Sequence, residues 1–204
     1  MTLTRQSVDR RAALLSAARN IFAEKGVEAA RVSEIVARAG VAQGTFYLYF
    51  TSKSSLILTL TDEVYATICE DVARALAVEE HVAGQVSAGV AAAFAAIERN
   101  RDIFAIVHPR AGGAEIRRES ERLFAPYYEL VAATIRAGQA HGEIPAEVTP
   151  DLAARLVVDL IDSAAYACYI LGDGIHAETY QAQVTRFIQR GLGVRIGLDG
   201  PHPT

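Results

Sequence analysis

The sequence contains no tryptophan and has only two cysteines and one methionine among its 204 residues. Cys69 and Cys168 stand far apart and neither has a second cysteine beside it, so the pattern indicates no disulfide framework and no zinc knuckle. Alternating β-branched runs joined by Asn-Gly or Asp-Gly hairpin turns are missing as well. Together these absences predict an all-α protein.

Long apolar runs are also missing, because charged residues recur throughout the chain. No stretch reaches the roughly 18 uninterrupted apolar residues that a membrane helix needs. Residues 1–11 lack the apolar core of a secretory signal. We therefore expect a cytoplasmic protein with no membrane partner.

Charge is unevenly distributed along the chain, whose net charge is −4. Residues 1–53 carry eight lysines and arginines and four acids, a net charge of +4. The rest of the chain carries twelve lysines and arginines and twenty acids, a net charge of −8. A basic segment ahead of an acidic body favours docking of the first segment on a polyanion. The alternative, a chance fluctuation between two solvated surfaces, stays open on charge alone.

Apolar residues recur at helical spacing from about Ser7 to Lys25, and Gly26 is placed to end that helix. A shorter amphipathic segment, Val32–Ala39, stops at Gly40, whose left-handed backbone suits a sharp turn. An aromatic-rich segment, Gln43–Phe50, follows. Two short helices around a glycine-containing turn are typical of a helix-turn-helix.

A long amphipathic helix is predicted from Lys53, with Ser52 as its N-cap. Thr149, Pro150 and Asp151 predict another helix start, with a capping hydroxyl, a proline in the first turn and an acid near the helix N-terminus. Interspersed glycines in the body are expected to leave room between helices. Further helices are expected at about 82–99, 101–107, 114–140, 150–171 and 176–192.

The two short helices are expected to lock together through four apolar positions, Ile35, Val41, Phe46 and Phe50. With that face buried, the side chains left outward are Gln43, Thr45, Tyr47 and Tyr49. Gln can pair with adenine, Thr can touch a thymine methyl and tyrosine hydroxyls can reach phosphates. Gly44 would let the backbone approach a groove wall, and Lys53 could hold a phosphate. The alternative is that Tyr47 and Tyr49 only fill a core.

The first 53 or so residues resemble the DNA-binding region of the TetR family of bacterial regulators. The resemblance rests on Phe22 and Gly26, on Ile35 with Ala39-Gly40-Val41, and on Gly44-Thr45-Phe46-Tyr47-Leu48-Tyr49-Phe50 with Lys53. It implies an all-helical homodimer that binds operator DNA and whose body takes a small effector. It also implies DNA contacts from Gln43, Gly44, Thr45, Tyr47, Tyr49 and Lys53, and from Arg31, Val32 and Ser33.

This chain departs from the family pattern at Arg31, where a threonine or serine often caps the second helix. Glu34 is present, but no hydroxyl completes a capping box. We therefore expect a DNA-binding domain (1–53) and a ligand-binding and dimerisation domain (54–193). The glycines and prolines near the end of the sequence predict a loose tail (194–204).

Beyond residue 55 the resemblance is one of helix pattern only. Aromatic and apolar residues cluster in the middle of the body, which favours a mostly apolar effector pocket. The alternative for each residue is an ordinary place in the core. The candidate pocket residues are Tyr65, Phe94, Phe104, His108, Arg122, Tyr127 and Tyr128.

The last two predicted helices carry wide apolar faces that a two-fold four-helix interface would bury. From the residues alone a monomeric core is an equal alternative; the resemblance favours the dimer. The candidate interface residues are Leu156, Leu160, Ala164, Cys168, Val184, Phe187 and Ile188.

Two other functional classes are alternatives. An enzyme is disfavoured because the five histidines show no metal-ligand spacing and no catalytic or phosphate-binding motif occurs, so we expect no metal, no cofactor and no catalytic residue. A DNA-binding factor without small-molecule control, either architectural or governed by a partner, stays open.

Overall fold

The computed structural model describes the backbone of residues 5–107 and 114–195. Within these residues the chain forms nine α-helices and one short π-helical segment, with no β-strand. The all-α prediction is confirmed. In the same two ranges, no helix is both long enough and apolar enough to cross a membrane.

The helices follow the predicted segments closely. Their bounds are α1 (Arg5–Ala29), α2 (Val32–Ala39), α3 (Gln43–Tyr49), α4 (Lys53–Leu76), α5 (Val82–Arg99), α6 (Arg101–Val107), α7 (Ala114–Ala140), α8 (Pro150–Tyr166) and α9 (Ala177–Gly191). The segment predicted as one helix over 150–171 is instead α8 followed by a π-helical turn, Ala167–Leu171. A single widened turn leaves the apolar spacing almost unchanged, so hydrophobic periodicity does not reveal it.

The chain forms two compact units. The head unit comprises Met1–Val64 with Asp102–Ser120, and the body unit comprises Tyr65–Arg101 with Glu121–Thr204. Helix α4 contributes residues to both units. The head unit therefore extends past residue 53, where the sequence pattern placed the end of the DNA-binding domain.

Two glycines set the turns of the head unit as the sequence predicted. Gly26 has φ 77° and ψ 165°, so the helical path of α1 is broken there. Gly40 ends α2 in the left-handed conformation (φ 66°), and the N–H groups of Gly40 and Val41 donate to carbonyls in the last turn of α2. A side chain with a Cβ is strained in this backbone region, which explains glycine at the turn.

The start of α4 is capped as predicted. The backbone N–H of Ser55 donates to the Ser52 hydroxyl oxygen at 3.0 Å, and the N–H of Ser52 donates to the Ser55 hydroxyl oxygen at 3.1 Å. This reciprocal pair satisfies two backbone donors at the helix start. The corresponding prediction for α8 holds only in part, because Pro150 opens the helix but the Thr149 hydroxyl makes no capping hydrogen bond.

Helix α6 is fastened to α1 within the head unit by a two-pronged ion pair. The Arg19 guanidinium donates to the Asp102 carboxylate from Nε at 2.5 Å and from Nη2 at 2.6 Å. Burial alone would raise the pKa of Asp102, but the hydrogen bonds and the charge of Arg19 outweigh it, and the pKa is lowered. Beside this pair, Ile103 and Phe104 of α6 are fully buried.

Two glycines in the body unit lie where helices pack closely. A Cβ on Gly89 would lie 3.3 Å from Leu76 Cδ2. A Cβ on Gly138 would lie 2.7 Å from Val82 Cγ2 and 2.9 Å from Ile144 Cδ1, closer than packing allows. Of these two, Gly89 is among the glycines expected to leave room between helices, and it both packs close to Leu76 and lines an apolar cavity.

Candidate DNA-reading surface and effector cavity

The face of α3 that turns outward is set by two buried rings. Phe46 is fully buried and Phe50 is 3% exposed, while Ile35 of α2 is also fully buried. Val41, expected in the same core, is only half-buried. The helix is therefore held on the head unit by one side only.

The opposite side of α3 lies at the surface. Gln43 and Gly44 are exposed and Tyr47 is 55% exposed, whereas Thr45 and Tyr49 are half-buried. Leu48 is 80% exposed, and the sequence analysis did not include it among the contact residues. No signal in the sequence marks Leu48, because a periodic pattern shows that a residue is apolar without showing whether another element covers it.

Gly44 serves no packing purpose in this structure. A Cβ built there meets no atom within 4 Å, and its backbone is not in the left-handed region. The lack of a side chain at the exposed start of α3 therefore needs a reason outside the protomer, such as close approach of another surface.

The start of α2 shows how the chain replaces the missing hydroxyl cap. The backbone N–H of Arg31 donates to Glu34 Oε2 at 2.9 Å, which is one half of a capping box, and the Arg31 guanidinium has no acceptor atom to complete the other half. The Lys25 ammonium also donates a hydrogen bond to the Glu34 carboxylate. This hydrogen bond, and then the one from the Arg31 backbone N–H, lower the pKa of Glu34. Arg31 and Ser33 are exposed and Val32 is half-buried.

Most cations of the head unit are already paired inside it. The four ion pairs are Arg11 with Glu63, Arg19 with Asp102, Lys25 with Glu34, and Arg38 with Glu24. Among residues 9–53, whose side chains the structure describes, the cations that pair with no acid are Arg10, Arg31 and Lys53. Two of these acids, Glu63 and Asp102, lie outside residues 1–53, so they offset positive charge that the net count of +4 for that segment leaves uncompensated.

Lys53 has a role that the sequence did not indicate. Its ammonium donates to the carbonyl oxygens of Val27 at 2.7 Å and Ala30 at 3.0 Å, with a longer contact of 3.5 Å to Glu28. These carbonyls lie at the end of α1 and before α2, where helix geometry leaves acceptors unsatisfied. Lys53 thus fixes the connection between these helices, and a phosphate would share its ammonium with these carbonyls.

In the body unit, three of the predicted pocket residues lie near the buried carboxylate of Asp162. They are Tyr65, Tyr127 and Tyr128. The Tyr65 and Phe124 ring centroids are 4.3 Å apart, and the Tyr65 hydroxyl is 3.5 Å from Asp162 Oδ1. Burial, followed by the charge of Asp162, raises the pKa of Tyr65. Tyr128 stacks on Phe124, and burial with nearby Asp159 raises the pKa of Tyr128 to about 12.

Tyr127 is the member of this cluster that reaches a cavity. The cavity is narrow, about 50 Å³, and mostly apolar. Tyr127 itself is 4% exposed, and its hydroxyl has no hydrogen-bond partner, a deficit that costs about 1–3 kcal/mol for a buried polar group. The lining consists of Val72, Leu76, Val82, Gln85, Val86, Gly89, Val90, Tyr127, Val131, Thr134, Ile135, Ile144, Val157, Ile161, Ile188 and Leu192.

The other predicted pocket residues lie elsewhere. Phe94 is fully buried and packs edge-on against Tyr169, with ring centroids 6.0 Å apart. Phe104 belongs to the core of the head unit, and Arg122 is exposed. His108 lies outside the described residues. Aromatic character alone did not separate cavity-lining residues from core residues, because both need apolar surface.

The predicted interface residues divide into three groups, which are buried, half-buried and exposed. Val184 and Ile188 are 5% and 4% exposed and are buried in the protomer's own core, as is Ala164. Leu160 and Cys168 are half-buried. Two of the predicted residues are exposed, Leu156 at 63% and Phe187 at 70%. Leu152 of α8, which was not among the predicted interface residues, is 58% exposed.

A short helix pair with a buried apolar side and an outward reading side, carried by an all-helical chain, defines a helix-turn-helix regulator. Two family models match the chain: bacterial regulatory proteins of the tetR family over residues 14–60, and the tetracyclin repressor-like C-terminal domain over residues 86–192. The chain belongs to the TetR family and is a transcriptional regulator.

Relatives support this assignment. The helix-turn-helix regulator YvdT of Bacillus subtilis is 28% identical over 181 residues, 88% of this chain and 93% of the relative. The fatty acid metabolism regulator protein of B. subtilis is 27% identical over 153 residues, 73% of this chain and 78% of the relative.

Solved structures share the fold. A TetR-family regulator from Syntrophomonas wolfei superposes with a TM-score of 0.80 at 20% identity, covering 95% of this chain and 99% of that one. FadR from B. subtilis in complex with stearoyl-CoA superposes with a TM-score of 0.76 at 20% identity, and the superposition covers 87% of this chain and 96% of that one.

We expect Lys53→Ala to lower the free energy of unfolding by about 2 kcal/mol, because the carbonyl oxygens of Val27 and Ala30 lose their hydrogen bonds to a charged donor. Urea denaturation followed by circular dichroism measures this change. Lys25→Ala is the matched control, because it removes an exposed ion pair and should change stability much less. Equal stability of Lys53→Ala and the wild type would show that the ammonium does not hold the connection between α1 and α2.

Proposed function

We propose that this regulator is a repressor in the cytoplasm that binds a palindromic operator as a homodimer and is released by a small, largely apolar effector. The observation that carries the DNA-binding part is the outward face of α3. Its side chains reach solvent while the buried Phe46 and Phe50 hold the helix in place.

The reading surface we propose combines polar and apolar contacts. Gln43 and Thr45 offer hydrogen bonds to base edges, Tyr47 and Tyr49 offer hydroxyls to phosphates, and Leu48 offers apolar contact to thymine methyls. Gly44 permits close approach of the backbone. At the start of α2, Arg31 and Ser33 are exposed and free to meet the sugar-phosphate backbone, with Val32 beside them.

Dimerisation is proposed from the apolar residues that the protomer leaves uncovered on α8 and α9. Leu156 and Phe187 are more than half exposed, and burial of each such side chain contributes about 1.5–3 kcal/mol. Two copies related by a two-fold axis would cover these faces and present two reading helices to the two halves of a palindrome.

The effector site we propose is the cavity at Tyr127. Its lining is apolar, and the similarity to a fatty acid regulator and to a protein solved with stearoyl-CoA supports an apolar ligand. At about 50 Å³ it holds only a few water molecules, whereas drug-sized ligands occupy roughly 300–1,000 Å³. Binding of a ligand larger than the cavity therefore requires the lining helices to move apart. Through this movement the ligand would change the structure of the body unit.

The small volume also favours a second candidate, a DNA-binding regulator without small-molecule control. The two candidates differ in one measurable property. A ligand that fills the cavity should release operator DNA in the first case and have no effect on DNA binding in the second.

We expect Leu48→Ala to weaken operator binding about tenfold, because loss of an apolar base contact amounts to about 1–3 kcal/mol. A duplex selected from a random pool by the wild type provides the probe, and fluorescence anisotropy measures the affinity. Val78→Ala, at an 81% exposed position of the body unit, is the matched control and should bind like the wild type. Unchanged binding by both Leu48→Ala and Tyr47→Ala would contradict the proposed reading surface.

We expect Arg31→Ala to make the salt dependence of binding shallower by about 0.9 in the slope of log affinity against log salt, since one phosphate contact is lost. Arg38→Ala removes the same charge, but Arg38 is paired with Glu24, and the slope should stay as in the wild type. Titrations at several potassium chloride concentrations give both slopes. An equal effect of the two substitutions would mean that only net charge matters.

We expect Phe187→Asp to convert the homodimer to a monomer, because a carboxylate would be buried without a partner in the interface. Light scattering coupled to size exclusion at micromolar protein measures the mass. Val78→Asp, equally exposed, should leave the dimer intact. A dimer that survives Phe187→Asp together with Leu156→Asp would place the interface elsewhere.

A further inference from the structure

Gly89 is the one glycine in the lining of the cavity, and it lies inside a helix. It is buried in the interior of α5, where glycine stabilises a helix less than alanine does. Its backbone is not in the left-handed region, so no conformational requirement explains the absence of a side chain. The reason for glycine at this position therefore lies in what surrounds it.

A side chain at position 89 would occupy space at the α4 wall of the cavity. Its Cβ would lie 3.3 Å from Leu76 Cδ2 and 3.8 Å from Val72 Cγ1, and both of these residues line the cavity. The shorter distance is to the end of a flexible side chain, and Leu76 is the half-buried last residue of α4. A shift of a few tenths of an ångström would admit alanine, so close helix packing does not by itself require glycine.

The rest of the lining restricts the chemistry and the shape of a ligand that uses this space. It contains no charged residue, so a charged group would lose its hydration without meeting a counter-charge in the lining. The cavity volume of about 50 Å³ is too small for a ring, since a cavity that binds benzene measures roughly 150 Å³. An unbranched alkyl chain is narrower than a ring or a branched chain, so it requires the least separation of the lining helices.

We propose that Gly89 determines which apolar ligands the cavity admits, because it leaves room beside Val72 and Leu76 for an unbranched alkyl chain. This inference rests on the effector site proposed above and assigns to Gly89 the selection of ligand shape. If glycine only allowed α4 and α5 to approach each other, alanine at this position would destabilise the free protein. If it preserves space for a ligand, alanine stabilises the free protein and weakens ligand binding.

The test compares two alcohols of the same composition and different shape, the unbranched 1-octanol and its branched isomer 2-ethyl-1-hexanol. Isothermal titration of the 204-residue protein should show tighter binding of 1-octanol. Gly89→Ala should weaken 1-octanol binding about fourfold, the contribution of one buried methylene group, and should reduce the preference over the branched isomer. In thermal melting without ligand, Gly89→Ala should unfold at or above the wild-type temperature, because alanine favours the helix and fills space.

Gly84→Ala is the matched control. Gly84 lies in the same helix but does not line the cavity, and the atoms nearest to a Cβ there all belong to the exposed side chain of Glu79. This substitution brings the same gain in helix propensity and should leave both affinities unchanged. Equal binding of the two isomers by the wild type, undiminished 1-octanol binding by Gly89→Ala, an equal loss in Gly84→Ala, melting of Gly89→Ala below the wild type, or no binding of either alcohol would overturn the proposal.

A mobility shift with the selected operator separates this inference from the proposed function. If 1-octanol binds as expected and the operator stays bound, control by a ligand at this cavity is contradicted while the role of Gly89 stands. If 1-octanol releases the operator equally from the wild type and from Gly89→Ala, the regulator responds to an effector and the role of Gly89 is refuted.

Discussion

The burial of Phe46 and Phe50 is the constraint on which the reading surface depends. Helix α3 has only seven residues, and a helix this short is not stable in water by itself. Its conformation therefore comes from packing against the rest of the head unit. Because the two rings occupy the inner side, Gln43, Gly44 and Tyr47 are left at the surface, and Leu48 with them. Core packing therefore decides which side chains of the proposed reading surface reach solvent.

Electrostatics inside the head unit limit what its net charge can do outside. Four cations are held by acids, and Lys53 is held by main-chain carbonyls at the end of α1. Exposed pairs of this kind add little stability, but they restrain the positions of α1 and α2 and cancel positive charge locally. In the proposed complex with DNA, the guanidinium of Arg31, which pairs with no acid, would therefore contribute more to phosphate binding than its share of the total charge suggests.

The body unit places its aromatic residues in two different roles. Tyr65, Phe124 and Tyr128 pack on one another beside Asp159 and Asp162, so they form a structural cluster. Tyr127 is adjacent to Tyr128 in the chain and lines the cavity, and its buried hydroxyl has no hydrogen-bond partner. A buried hydroxyl without a hydrogen-bond partner is uncommon in proteins, and it distinguishes Tyr127 from Tyr65 and Tyr128, whose hydroxyls lie beside carboxylates.

The sequence alone determined the helices, the turn at Gly40, the cap at Ser52 and the outward position of Tyr47, because these follow from local backbone preferences and 3.6-residue periodicity. It indicated Tyr127 only as one of seven pocket candidates. Tertiary structure alone decided that Lys53 binds the carbonyls of Val27 and Ala30, that Val184 and Ile188 belong to the core, and that Leu48 and Leu152 stay exposed. Those outcomes depend on which surfaces meet across long sequence separations, and a periodic pattern shows that a residue is apolar without showing what covers it.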